Sequence, residues 1–157
     1  QAPEKSGRNQ AKIWKKKLPL PQLETHKYQR GHLLISGAKN MTGATQLAAI
    51  GARRIGTGLV TIAAPRDSTG IYQSGALGNL ITPINSYDDW HIAISDIKKT
   101  AILFGPGLGN SSSTKKYAIA ALSSKKPVVL DADGISVFKN MLSHLQKFWT
   151  LKKQQNH

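Results

Sequence analysis

Three short stretches gather the residue types that can do chemistry: "SGAKNMTGA" (36–44), "GPGLGN" (105–110) and "DADG" (131–134). The first sets Gly37, Gly43 and Ala44 around an expected helix N-terminus, where free N–H groups and the helix dipole favour an anion. It is not a Walker A loop, because no Gly-Lys-Ser/Thr follows Gly37 at the needed spacing. The second places Gly105, Gly107 and Gly109 at every second position, an entropically costly choice that marks unusual backbone or close approach to a ligand. Gly105-x-Gly107 matches the start of a dinucleotide fingerprint, but the position three after Gly107 is Asn110. Bare backbone there admits a phosphate or a flat ring; a tight strand-to-helix turn uses the same glycines. In the third stretch, Asp131 and Asp133 can accept from sugar hydroxyls or hold a hydrated Mg²⁺. Asp133 is also placed to cap the following helix, which leaves Asp131 as the functional candidate.

Other chemistries find no support in the spacing. His26, His32, His91 and His144 show no metal-ligand pattern, and no protein metal site is expected. Neither a Ser-His-Asp arrangement nor a Gly-x-Ser-x-Gly elbow is present.

The elements that must position these turns alternate. "HLLIS" (His32–Ser36) reads as a buried strand, and a helix with Thr42 as N-cap runs to about Ile55, where Gly56 stops it. A second strand over 59–64 completes a βαβ unit and ends at Pro65. A weak strand (80–84) precedes a helix over 87–99, with Trp90, Ile94 and Ile97 on one face. Strands at 101–104 and 127–130 flank a helix over 112–122 that opens on a serine run. Short apolar strands alternating with helices predict an α/β fold, a mostly parallel sheet covered on both faces. Ligands of such sheets sit outside the carboxyl ends of the strands, where all three turns fall.

Residues 1–25 mix Pro, Lys, Gln and Asn around "LPLP" and suit an extended arm, with Ile13 and Trp14 as its apolar anchor. Residues 26–150 form the expected domain, and 151–157 a polar tail. The net charge of +14 is uneven: residues 1–30 carry +6, residues 138–157 carry +4 and the long centre only +4. Seventeen of the 22 basic residues are lysine, without interleaved aromatics, which argues against base readout in nucleic acid. No cysteine appears, which excludes disulfides and fits a reducing compartment. No apolar run reaches the roughly 20 residues of a membrane span.

Taken together, "HKYQRGHLLISGAKNMTGATQLAAIGARRIGTGLVTIAAP", "LFGPGLG" and "VVLDADG" resemble the ADP/ATP-dependent NAD(P)H-hydrate dehydratase family of the ribokinase-like superfamily. The order and spacing of the three blocks match over about residues 26–138. The resemblance implies a three-layer α/β/α ribokinase-like (Rossmann-like) fold, incomplete at its C-terminus, and a cytoplasmic metabolite-repair lyase. In that family a phosphoryl group of ADP or ATP, with Mg²⁺, is spent on dehydrating the hydrate of NADH or NADPH. Carried over by position, Ala44, Gly107, Gly43 and Asp131 would contact the hydrated dinucleotide, and Lys27 and Gly105 the nucleotide phosphates. The stretch "IWKKKLPLPQLETHKY" resembles the connector from an epimerase domain in bifunctional members.

Family members continue into a Thr-Pro-His-x-Gly-Glu loop and a Gly-Ser/Thr-Gly-Asp turn carrying the catalytic Asp. Neither occurs in these 157 residues, so the resemblance puts that Asp, and most of the nucleotide site, beyond His157. The expectation is an incomplete dehydratase portion, weakly active or inactive alone, whose partner is a missing C-terminal half, an epimerase domain or a second copy of the chain. Two other readings stay open: a non-catalytic dinucleotide-binding fragment, and a basic accessory protein for nucleic acid, which strong salt dependence would reveal.

Overall fold

The computed structural model describes residues 10–17, 26–75 and 77–139. Five strands, β1 (His32–Ser36), β2 (Leu59–Pro65), β3 (Leu80–Ile84), β4 (Ala101–Phe104) and β5 (Val128–Leu130), form one sheet. Its order is β3-β2-β1-β4-β5, and every pairing is parallel. β1 lies at the centre because its residues can be buried on both faces: Leu34 and Ile35 point to opposite sides and both are fully buried.

Two cores follow from that alternation. On one face Leu34, Ala63, Ile102 and Phe104 pack with Trp90, Ala93 and Ile94 of α4 (Tyr87–Ser95) and Ala118 and Ala121 of α5 (Ser112–Ser123). On the other, Ile35, Val60, Ile62 and Ala64 meet Ala49 of α2 (Thr42–Arg54) and Tyr72 of α3 (Thr69–Gly75). Small residues on α2 and α5 let these helices lie close on the sheet. The three-layer α/β/α arrangement expected from the sequence is the one observed.

Several boundaries differ from expectation. Thr42 is the first residue of α2 rather than its cap; Met41 holds the N-cap position and makes no side-chain cap bond. α3 and the 3₁₀ turn Arg66–Ser68 before it were not foreseen. α4 stops at Ser95, so Ile97 is 91% exposed instead of joining Trp90 and Ile94. Where an extended arm was expected, α1 (Ala11–Trp14) and a 3₁₀ turn at Lys15–Lys17 are helical. The "LPLP" stretch, the end of the expected domain and the 151–157 tail lie outside the described residues.

Candidate functional site

The three turns singled out in the sequence converge at the carboxyl edge of the sheet, and four polar side chains knit them together. Ser36, the last residue of β1, accepts a hydrogen bond at Oγ from the Gly105 N–H (3.1 Å). Thr45, fully buried in the first turn of α2, donates to the Pro106 carbonyl and accepts from the Ala38 N–H, both at 3.4 Å. The buried Tyr72 phenol donates to the Ala38 carbonyl at 2.8 Å. Burial pushes its pKa above the ordinary value, so the proton needed for this bond stays on. Asp133 accepts from the Gly109 N–H at 2.8 Å and so ties the third turn to the second.

The glycines divide into two kinds. Gly105 (φ +131°) has no room for a Cβ, which would overlap the Asp131 carbonyl oxygen and crowd the Gly134 nitrogen. At Gly107 (φ +73°) a Cβ would lie 2.8 Å from both the Met41 carbonyl oxygen and its Cβ, and 3.2 Å from the Ala38 Cβ. These two residues make room for the protein's own backbone, so Gly105 is not bare surface for a phosphate. Gly43 and Gly109, in contrast, have nothing within 4 Å of a Cβ position.

The expected dinucleotide contacts Ala44, Gly43 and Gly107 thus share one junction between α2 and the glycine loop, with Asp131 next to it across Gly105. Asp131 is exposed; its N–H donates to the Phe104 carbonyl (3.0 Å) and its carbonyl accepts from Gly134 (2.8 Å). Lys27 is not brought here. It precedes β1, and its carbonyl packs where Gly58 enters β2, which is the amino edge of the sheet. Its ammonium lies 5.3 Å from the Tyr28 ring centroid. Among the described residues no three His, Cys, Asp or Glu side chains assemble into a metal site. Asp131 keeps its exposed carboxylate beside these turns, while one oxygen of Asp133 is engaged by Gly109.

Sequence reasoning missed a cleft of about 270 Å³ on the α4/α5 side of the same edge. Trp90, Phe104, Tyr117 and Leu108 supply its apolar lining, and Ser36 and Gly37 link it to the turns. The Trp90 and Phe104 ring centroids are 5.6 Å apart, those of Trp90 and Tyr117 6.0 Å. The indole N–H donates to the Tyr117 carbonyl (3.1 Å), which satisfies its one polar atom inside the protein. Aromatic residues on helices at core spacing gave no separate signal of a cleft.

Comparison with known proteins fits this geometry. A ribokinase-like superfamily protein from Enterococcus faecalis superposes with a TM-score of 0.68 at 17% identity, covering 78% of this chain and 44% of that one, a likeness of fold. The three-layer α/β arrangement, with its glycine turns at the carboxyl edge, is thus the fold of that protein.

The NAD(P)H-hydrate dehydratase family model matches residues 32–153, and the chain belongs to that family. The bifunctional NAD(P)H-hydrate repair enzyme Nnr of Synechocystis is 36% identical over 125 residues, 76% of this chain and 24% of that protein. The ADP/ATP-dependent NAD(P)H-hydrate dehydratase of Bacillus subtilis, co-crystallized with ATP/Mg²⁺, superposes with a TM-score of 0.62 at 29% identity. It is covered over 42% of its length, and this chain over 74%. The chain thus spans less than half the length of these relatives.

Proposed function

We propose that this chain holds the hydrated form of NADH or NADPH for nucleotide-dependent dehydration. The observation that carries this reading is the meeting, at one sheet edge, of an α2 N-terminus without a side-chain cap and the glycine loop. α2 has no acidic residue in its first turn, so its free N–H groups and dipole favour the dinucleotide's pyrophosphate. Gly43 and Gly109 leave that approach open, while Gly105 and Gly107 lock the loop shape behind it. Ala44 and Asp131 flank this path, Asp131 with an exposed carboxylate able to accept from a ribose hydroxyl. These groups bind and orient.

The phosphoryl donor, ADP or ATP with Mg²⁺, supplies the group that turns the substrate hydroxyl into a leaving group. The family's Gly-Ser/Thr-Gly-Asp turn, with its catalytic Asp, is not in this sequence. Bifunctional relatives support reading residues 1–25 as a connector to an epimerase domain. The lack of cysteine fits a reducing, cytoplasmic setting. Among the described residues no helix is long and apolar enough to cross a membrane.

The test is titration calorimetry of purified NADPH hydrate, and of NADH as a stable stand-in, into the 157-residue chain. Saturable binding at one site is the expected result. No saturable heat with either compound refutes the reading.

A further inference from the structure

The amino edge of the sheet, opposite the junction described above, has a surface chemistry of its own. Parallel pairing gathers there the turns that precede the strands, and hydrogen bonds tie those turns together. Gly58, before β2, donates to the Arg30 carbonyl (3.3 Å), and Thr100, before β4, to the His32 carbonyl (2.9 Å). The Lys126 ammonium, before β5, donates to the Asp96 carbonyl. Arg53, in the last turn of α2, donates from Nη1 to the Leu77 carbonyl (3.2 Å), which adds the turn before β3.

Four of these turns hold a large apolar side chain in water. Leu77 before β3 is 83% exposed, Ile55 before β2 77%, Tyr28 before β1 66% and Ile97 before β4 91%. Ile97, Leu77 and Ile55 are the three most exposed large apolar residues among those described. Each tip has a cation beside it. Arg54 precedes Ile55, Lys27 precedes Tyr28 and Lys98 follows Ile97, all of them exposed, while Arg53 is bonded to Leu77. Among the described residues Asp96 is the one acid at this edge, and its carboxylate takes the Lys98 N–H and the Lys99 ammonium. The other described acids, Asp67, Asp88, Asp89, Asp131 and Asp133, all follow strand ends at the carboxyl edge. A helix dipole accounts for Arg53 and Arg54 at the end of α2. It does not account for aliphatic side chains held in water next to them.

We propose that the amino edge docks on an anionic lipid surface. Leu77, Ile55, Tyr28 and Ile97 enter the headgroup layer, and the neighbouring Lys and Arg side chains meet anionic headgroups. Peripheral contacts of this kind use apolar area and cationic charge together. Charge complementarity selects this occupant over the others. Protein interfaces deplete lysine and gather their apolar residues into a core, whereas these tips stand singly on separate turns. Nucleic acid gains nothing from aliphatic tips, and the Tyr28 ring already has the Lys27 ammonium 5.3 Å from its centroid. The proposal is independent of the dinucleotide reading, and docking in this way leaves the carboxyl edge facing solvent.

The experiment is co-sedimentation of the full 157-residue chain with vesicles of phosphatidylcholine alone and of phosphatidylcholine mixed with phosphatidylserine. Three double variants accompany it. Ile55→Ser with Ile97→Ser removes two tips and no charge; Arg54→Gln with Lys98→Gln removes two cations from the edge. Lys39→Gln with Lys116→Gln removes two exposed cations from the opposite edge. Circular dichroism and melting temperature establish folding, and Ile97→Ser alone suffices if the first pair does not fold. The native chain is expected to bind the mixed vesicles and not phosphatidylcholine alone. Loss of the edge cations is expected to weaken binding about tenfold or more, and loss of the tips about threefold or more. The opposite-edge pair is expected to change it less than about twofold.

No binding to the mixed vesicles overturns the proposal. So does an equal loss in the two cation pairs, which would mean attraction to the whole basic chain rather than to this edge. Binding unchanged without the tips also overturns it, because the apolar contact would then be absent. Single-stranded RNA bound more tightly than the mixed vesicles, through Arg54 and Lys98, would make the edge a nucleic-acid surface instead.

Discussion

Gly43 and Gly107 border the same junction, yet replacing them is expected to have opposite consequences. Gly43 lies in the first turn of α2 with ordinary backbone angles and open space at its Cβ position. Gly43→Ala gains helix propensity, so thermal melting stays level or rises, while dinucleotide affinity falls because the methyl group occupies the approach. Gly107→Ala forces a Cβ against Met41 at a left-handed angle; the strain is of order 1–3 kcal/mol before the clash is counted. Its melting temperature is expected to drop by several degrees. Calorimetry and thermal denaturation of both variants check the contrast. The sequence showed five glycines in the two turns and no difference between these two; what fills the space beside each is decided by segments some 65 residues apart.

His32, at the other end of β1, makes stability depend on pH. It is buried, with Nε2 2.7 Å from the Thr61 hydroxyl, and burial, aided by the positive charge of Lys99, lowers its pKa. A histidine that resists protonation when folded favours the folded state fully above its ordinary value of 6.5. That contribution is lost as pH falls below 6.5 toward the folded pKa, because the unfolded chain takes up the proton first. Denaturant midpoints at several pH values between 7.5 and 5.5 are expected to fall, and His32→Gln to flatten the dependence.

At the scale of elements, α4 is held at its start by a reciprocal cap. The Ser86 hydroxyl accepts from the Asp89 N–H at 3.1 Å, and the Asp89 carboxylate accepts from the Ser86 N–H. Those hydrogen bonds, with the one from the Asn85 N–H foremost, hold the Asp89 pKa below the usual carboxylate range. Ser86→Ala is expected to cost about 1 kcal/mol. Because α4 carries the core residue Trp90, the denaturant midpoint is expected to fall with it.

The end of the same helix shows why pattern reading went past it. Helical spacing continues through Ile97, but Asp96 adopts extended backbone and its carboxylate captures the Lys98 N–H (3.0 Å) and the Lys99 ammonium (2.8 Å). Such local competition leaves no trace in hydrophobic period. The five strands were legible because each is an apolar run bounded by a turn. α3 was not: "TGIYQSG" carries two glycines and few apolar residues, and only the burial of Tyr72 beneath the first turn makes it an element.

Over the whole molecule, binding and turnover are expected to separate. The proposed dinucleotide contacts meet at the carboxyl edge, and no Gly-Ser/Thr-Gly-Asp turn occurs in the 157 residues. Positioned acid–base help is worth roughly 10²–10⁴-fold, and losing an anion site for the migrating phosphoryl group compounds the deficit. Purified alone, this chain is expected to give no measurable recovery of reduced-nicotinamide absorbance from NADPH hydrate with ADP or ATP and Mg²⁺. Robust recovery would assign the catalytic group to these residues, with Asp131 the first to mutate. The carboxyl-edge location was legible from the fold class, whereas the cleft beside it depends on how α4 and α5 lean on the sheet.

The strand order also governs how this chain is made. β1 pairs on one side with β2, which follows it closely, and on the other with β4, which begins at Ala101. During synthesis β1, β2 and β3 leave the ribosome before β4, and until β4 emerges one side of β1 carries Leu33, Leu34 and Ile35 with an unpaired row of peptide groups. β1, central among the five described strands, thus has one unpaired and apolar side until β4 is made. Parallel pairing across such a separation is slow to form. The nascent chain exposes that side of β1 to wrong pairing until residue 104 clears the exit tunnel.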